Sequence, residues 1–261
     1  MYSISIIDKE GNILKEEKGK TRADLVFFET YNEGDKILVT SDKYPMDVVL
    51  QVDDALGQSI NLLTGDFIYN IPFDEKKTSY SPKTFSGDRH YLFVRDAYDF
   101  EAENYRNLSL NVNDQHGDTN LYPHASANVE TRGEAVFAAR NAIDGVCENR
   151  SHGNWPYDSW GINKQDDAAM KIEFGREVET DKIILYTRAD FPHDNWWTSV
   201  TFTFSDETKL TAKLEKSYEP HIINFDKKKI HWVEISELIK ADDPSPFPAL
   251  TQMEVYGRIV K

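Results

Sequence analysis

The sequence predicts an all-β chain built as two β-sandwich domains. Apolar and polar residues alternate with period two in one segment after another, the pattern of half-buried antiparallel strands. Turn formers punctuate these segments about every 8 to 12 residues, a spacing that suits sandwiches better than parallel α/β sheets. A run nearly devoid of apolar residues, NDQHGDTNL at 113–121, then divides the chain into an expected N-terminal sandwich at 1–120 and a C-terminal one at 121–261.

In the first half, strands are expected at 2–7, 25–28, 36–40, 48–52, 59–63 and 67–71. Glu10-Gly11-Asn12, Asn32-Glu33-Gly34-Asp35 and Thr64-Gly65-Asp66 supply turns between them. Segments 90–95 and 108–112 read as closing strands, with a short polar helix at 98–105. Asp88, Arg89 and His90 read as a turn, and this half offers no catalytic constellation.

The second half opens with Thr131 and Glu134 at the spacing of a capping box, predicting a helix of about ten residues from Arg132 that sets Phe137 and Ala138 on the core. Gly145 suits its exit. An aromatic loop at 147–162 follows, with His152, Trp155, Tyr157 and Trp160. Strands are then expected at 169–174, 182–187, 199–204, 209–214, 221–225, 229–235 and 252–259. A helical turn at 237–240 and a proline-stiffened loop, DDPSPFPAL, precede the last strand.

The net charge of −15 over 261 residues, with no basic stripe, argues against nucleic acid and against an anionic membrane surface as partners. Cys147 is the only cysteine, so no intrachain disulfide forms. The opening MYSISIIDKEGN has no signal-peptide pattern, and no apolar run approaches the ~20 residues of a membrane span. A cytoplasmic protein is therefore expected, or an extracellular one if a leader has been removed.

The loop between the strands at 183–187 and 199–204 concentrates chemistry: Arg188, Asp190, Phe191, His193, Asp194, Trp196 and Trp197. Loops held by two strands commonly carry binding residues. Pyranoses offer an apolar C–H face that lies on an aromatic ring and a rim of hydroxyls that Arg, Asp and His read. Ring stacking over about 80 Å² is worth roughly 2 kcal/mol at ~25 cal/mol/Å². Two or three hydrogen bonds at ~1 kcal/mol each bring the total to about 4 to 5 kcal/mol, or millimolar binding. Adjacent strand residues face opposite ways, so at most one of Trp196 and Trp197 serves a ligand and the other is core. Arg188 either forks onto vicinal hydroxyls or pairs with Asp190 or Asp194; His193 either donates to a hydroxyl or braces the loop. His152 is a further ligand candidate, and Trp155, Tyr157 and Trp160 either form a second wall or, for a tryptophan following the helix, join the core.

Several motifs in a fixed order carry a resemblance: NAIDG at 141–145, a tryptophan-bearing loop, IEFG at 172–175, VETDKIILYTR, and a terminal QMEVYGR at 252–258. Residues 126–258 thereby resemble discoidin-like domains, also called coagulation factor V/VIII type C domains, which include the family 32 carbohydrate-binding modules. The resemblance implies an eight-stranded, galactose-binding-like jelly roll with short helices and a ligand held by loops at one end. Such domains have been adapted to sugars, lipids and proteins, so fold alone does not fix the ligand. It also implies a structural calcium held by the Asn141 carbonyl, Asp144 and Glu254, hard oxygens of the kind this ion takes. The loop VCENRSHGNW is longer than the family pattern and leaves further ligands unassigned. Without calcium, Asp144 would cap the helix exit or form an Asx turn, and Glu254 would be a solvated strand residue.

The expected function is non-catalytic carbohydrate binding through loops of the C-terminal domain. One alternative is an accessory or interaction subunit that docks on a carbohydrate-active enzyme. Another is a glycoside-processing enzyme, which needs two carboxyls about 5 to 10 Å apart and would draw on Asp190, Asp194 or Asp158 with His152 or His193. A zinc set from His124, His152 and His193 lacks any HExxH-type spacing.

Overall fold

The structure is a computed structural model that describes residues 1–193 and 195–260. The N-terminal half is two antiparallel sheets. One has the order β2-β1-β4-β7, formed by β1 (Tyr2–Ile7), β2 (Ile13–Gly19), β4 (Lys36–Ser41) and β7 (Phe67–Asn70). The other, β10-β6-β5-β8-β3, uses β3 (Arg22–Phe27), β5 (Met46–Gln51), β6 (Ser59–Leu63), β8 (His90–Asp96) and β10 (Leu121–Tyr122). Period-two alternation does the sorting: along β3, Ala23, Leu25 and Phe27 are buried while Arg22, Asp24 and Val26 face out. Their inward faces enclose a core with Ile4, Ile6, Ile37, Val39, Leu50, Tyr69, Leu92 and Val94.

The C-terminal half is one hydrogen-bonded set of eight antiparallel strands. Its members are β9 (Arg106–Asn107), β11 (His124–Ala127), β12 (Trp160–Gly161), β13 (Met170–Thr187), β14 (Trp197–Phe204), β15 (Lys209–Lys213), β16 (His221–Lys240) and β17 (Ala249–Ile259). A core containing Trp160, Trp197, Phe202, Phe204, Ile183, Leu185, Val233 and Met253 fills it. The chain is thus all-β, with two sandwich cores. Among the described residues no helix is long and apolar enough to cross a membrane.

Some elements differ from the sequence reading. The expected strands at 169–174 and 182–187 are one strand, β13, and those at 221–225 and 229–235 are one strand, β16, whose register shifts on β13 between Glu173 and Val178 and between Thr180 and Lys182. Gly175 sits at one of these shifts with φ +68°, and a Cβ there would fall 2.6 Å from the Tyr122 ring, so a side chain is excluded twice over. The expected turn at 237–240 is the end of β16. Segment 108–112 is not a strand; Leu108 packs into the C-terminal core. The polar helix at 98–105 shrinks to one turn, α1 (Asp99–Ala102), where Glu101 accepts the Tyr98 N–H at 2.9 Å.

The helix expected from Arg132 is instead three short 3₁₀ turns, Thr131–Gly133, Ala135–Phe137 and Ala139–Ile143. The capping box does not form. Glu134 turns its carboxylate to Arg132, and the Thr131 hydroxyl accepts the Asn163 N–H at 2.9 Å. Arg132 at φ +54° and Ala138 at ψ 150° interrupt any continuous helix.

Segment 113–121 is a seam between the two halves. Asn113 is buried and donates to the Leu50 carbonyl at 3.1 Å and the Ser59 hydroxyl at 3.0 Å. Asp114 holds His124 at 2.7 Å. Arg176 of β13 pairs with Asp47 of β5, and Glu75 accepts the Ala135 N–H at 2.7 Å. The seam thereby fixes the turns at 131–143, which form one wall of the cleft described next.

Candidate functional site

A cleft of about 180 Å³ opens at the loop end of the C-terminal sandwich. Its apolar walls are Phe137, from the broken helical segment, and Phe247, from the proline loop before β17. Arg132, Asn163, Lys164, Arg188, His152 and His193 supply the polar lining. The walls are tied together from below. Gly161 runs so close to them that a Cβ would lie 2.6 Å from the Thr131 hydroxyl and 3.1 Å from Phe137. Arg188, at the end of β13, is buried; its N–H donates to the Phe247 carbonyl at 3.2 Å, and its backbone N–H donates to the Ala249 carbonyl at 2.9 Å. A guanidinium held in this way is aligned before any ligand arrives.

Two loops bring the histidines in. The Ala189 N–H donates to the Asn149 carbonyl at 2.7 Å, and the Asn149 side chain donates to the Thr187 carbonyl at 2.9 Å, so the loop carrying His152 lies along the end of β13. A tight turn, His193 N–H to Asp190 carbonyl at 2.7 Å, returns His193 toward it. The two imidazoles stack at 4.8 Å and 8°, and the His152 Nδ1 meets the Asp190 carboxylate.

The structure divides the expected ligand residues. Arg188, His152 and His193 reach the cleft, with Asp190 behind them on His152. Asp194 lies outside the described residues. Trp197 is at 0 % exposure in the core, so it cannot touch a ligand, and Trp160 is buried likewise with its indole N–H on the Val129 carbonyl at 2.9 Å. Trp196 is half-buried beside β16, where its carbonyl accepts the Ala241 N–H, and it does not line the cleft. Trp155 is exposed but sits against the N-terminal half, its backbone N–H donating to the Thr78 carbonyl at 2.9 Å. The tryptophan wall is thus replaced by Phe137 and Phe247. Arg132, Asn163, Lys164 and Phe247 are additions to the expected set, and Phe137, expected on the core, is half-buried and lines the cleft instead; the one signal available was Phe247 as the sole aromatic in DDPSPFPAL. Lys164 stands over the Phe247 ring at 4.6 Å and Arg132 over Phe137 at 5.6 Å, so the rings carry cations at the rim.

The acid–base pair of a glycoside hydrolase is not among the described lining residues, which include no carboxylate. Asp158 is buried away from the cleft. His124 is held by Asp114 at the seam, apart from His152 and His193.

Of the residues implied for calcium, Asp144 and Asn141 have their side chains engaged within their own segment. Asp144 is buried; its Oδ1 accepts the Val146 N–H at 2.8 Å, and its Oδ2 faces the Arg140 guanidinium at 3.6 Å. The Asn141 side chain accepts from Arg140 and donates to the Ala135 carbonyl at 2.9 Å. Glu254 is on β17, half-buried; its charge and that of Asp144 both help to raise the Cys147 thiol, so the three lie in one neighbourhood. A second buried carboxyl acted on by Asp144 is Asp158: 2 % exposed, with no hydrogen-bond donor on either oxygen. Burial pushes Asp144 up to about 6 against the pull of Arg140, and burial together with the charge of Asp144 pushes Asp158 well above the carboxylate range. Asp144 and Asp158 are thus two buried carboxyls in the field of the one Arg140 guanidinium.

No family model and no curated protein matches the chain. Among solved structures it is similar to chitosan-binding module 1 from the chitosanase/glucanase of Paenibacillus sp. IK-5, 19% identical over 58% of this chain and 99% of that one, TM-score 0.41. It is similar to the family 32 carbohydrate-binding module of C. perfringens NanJ in complex with galactose, 18% identical over 51% and 91%, TM-score 0.37. It is also similar to the lectin domain of Lectinolysin complexed with Lewis B antigen, 16% identical over 58% and 96%, TM-score 0.43. These structural neighbours are carbohydrate-binding modules and lectin domains. At this level of likeness no residue role passes from them to this chain.

Proposed function

We propose that the chain is a non-catalytic carbohydrate-binding protein whose cleft at the end of the C-terminal sandwich takes one sugar unit. The observation that carries this is the cleft's composition: two aromatic walls, Phe137 and Phe247, with a rim of donors from Arg132, Asn163, Lys164, Arg188, His152 and His193. A ring face against Phe247 and ligand oxygens on the cationic donors match a pyranose on both its surfaces. Two of the similar solved structures named above are complexes, one with galactose and one with Lewis B antigen; for this chain, the reading rests on its own cleft. The buried Asp144 and Asp158 are proposed to hold a structural calcium, supported by the two donorless oxygens of Asp158.

Titration calorimetry with a panel of neutral and uronic monosaccharides tests the sugar site. Binding is expected in the millimolar range, as roughly 4 to 5 kcal/mol implies. Phe247→Ala removes the stacking face and is expected to weaken it about tenfold or more, since ~1.4 kcal/mol is tenfold. Arg188→Ala is expected to lose binding by a comparable factor through hydrogen bonds to ligand oxygens. Intrinsic tryptophan fluorescence is expected to stay flat on binding, because no tryptophan lines the cleft. Absence of heat with every sugar, up to tens of millimolar, would sink the assignment.

A further inference from the structure

We propose that His152, Asp190 and His193 form a binding site for a divalent transition metal, zinc foremost, at the mouth of the cleft. One donor atom from each of the three lies within 4.8 Å of the others. Three features of the chain put them there. The turn that closes His193 N–H on the Asp190 carbonyl sets a carboxylate and an imidazole three residues apart on one side of a single loop. The Ala189 to Asn149 hydrogen bond draws the second loop alongside. His152 then turns its Nδ1 to the Asp190 carboxylate, and the two rings stack face to face.

The donor set selects the ion. Two imidazoles and one carboxylate suit zinc, nickel, copper or cobalt, whereas calcium and magnesium ask for oxygen alone. Zinc takes nitrogen and carboxylate oxygen at about 2.0 to 2.2 Å, which places tetrahedral ligands about 3.3 Å from one another. The triad must therefore close by about 1.5 Å, a change that rotation of exposed side chains supplies. His152 and His193 are both exposed, so this rotation displaces no core contact. Three protein ligands leave a fourth position open, as in zinc sites that bind water or substrate. Here both histidines line the cleft, so that position faces it. A bound metal would join loops 38 residues apart and present a Lewis acid to a ligand hydroxyl.

Equilibrium dialysis of the full chain against zinc chloride, without sugar, tests this separately from the carbohydrate reading. One zinc per chain is expected, released by chelator, and cobalt substitution is expected to give visible d–d absorption. His193→Ala and Asp190→Asn are each expected to weaken zinc at least about tenfold, while His231→Ala, at an exposed histidine on β16, leaves it unchanged. Asp190→Glu keeps a carboxylate and is expected to retain more zinc than Asp190→Asn, which separates ligation from misfolding. Zinc uptake that is absent in the native chain, unaltered in His193→Ala, or lost equally in His231→Ala overturns the site. Sugar titration of the zinc-free protein reads the other proposal independently.

Discussion

Trp197→Ala is expected to destabilise the protein by about 3 to 5 kcal/mol, the range for truncating a large buried aromatic. Trp197 has no exposed surface and opens β14 inside the C-terminal core, packed among Val200, Phe202 and Leu238. Removing the indole leaves a cavity that surrounding strands, fixed by their ladders, cannot close. Urea unfolding measures this as a drop in midpoint at constant slope. Trp197→Phe is expected to be much milder, since the indole N–H is buried without a partner and its loss carries no hydrogen-bond cost. Phe247→Ala is the opposite case: Phe247 is 38 % exposed, so its loss is expected to leave the urea midpoint nearly unchanged while weakening sugar binding. A Trp197→Ala variant that kept native stability would place the core and the cleft the other way round.

The second large effect is on pH. In metal-free buffer, stability is expected to fall as pH rises from about 4 to above 6, because Asp144 holds its proton more tightly folded than unfolded. For a carboxyl raised in this way the contribution is complete below the unfolded value and is lost as pH passes the folded one. A rise from 3.8 to about 6 corresponds to about 3 kcal/mol for Asp144 at ~1.36 kcal/mol per unit. Asp158 is raised too and adds with the same sign. Asp53, raised by burial under the N-terminal sheet, also adds in that direction, so a difference profile between the native chain and Asp158→Asn is needed to isolate the pair. In chelator, Asp158→Asn is expected to flatten the slope and to raise stability at pH 7, because a neutral amide replaces a carboxyl that has no donor. Calcium at neutral pH is expected to restore what ionisation takes away, by binding the charged form. A native profile that is flat from pH 4 to 7 in chelator would remove the buried pair from this role. A sloping profile indifferent to calcium would keep the pair and discard the ion.

Much of the architecture was legible in the residues because its signals are local. Strands β3 and β7 follow period-two alternation in their burial, and turn residues stand where the chain reverses. Errors fell where one local signal competed with a distant partner. Thr131 and Glu134 have the spacing of a cap, yet Asn163 takes the threonine hydroxyl and Arg132 takes the glutamate. Segments 169–174 and 182–187 read as two strands because Gly175 and its neighbours suggest a break, yet the ladder with β16 runs through them.

The candidate site divides in the same way. That chemistry concentrates near Arg188, Asp190 and His193 was visible from composition alone, because rings, charges and imidazoles rarely gather on a loop by chance. Which aromatics meet a ligand was not. Adjacent Trp196 and Trp197 say only that the pair splits between faces. Phe137 and Phe247 are separated by 110 residues of chain and line one cleft because the broken helical segment brings one there and the proline loop before β17 brings the other.

By itself the sequence determined that this chain is all-β, acidic, and furnished with a polar and aromatic loop at one strand end, since alternation, charge and turn chemistry are properties of neighbours along the chain. Tertiary structure alone decided which rings line the cleft, that His152 joins Asp190 and His193, and that Asp158 is buried near Asp144. Those choices depend on where strand register and loop contacts bring distant residues, and burial, which sets both the energetics and the chemistry of each, is a property of the packed whole.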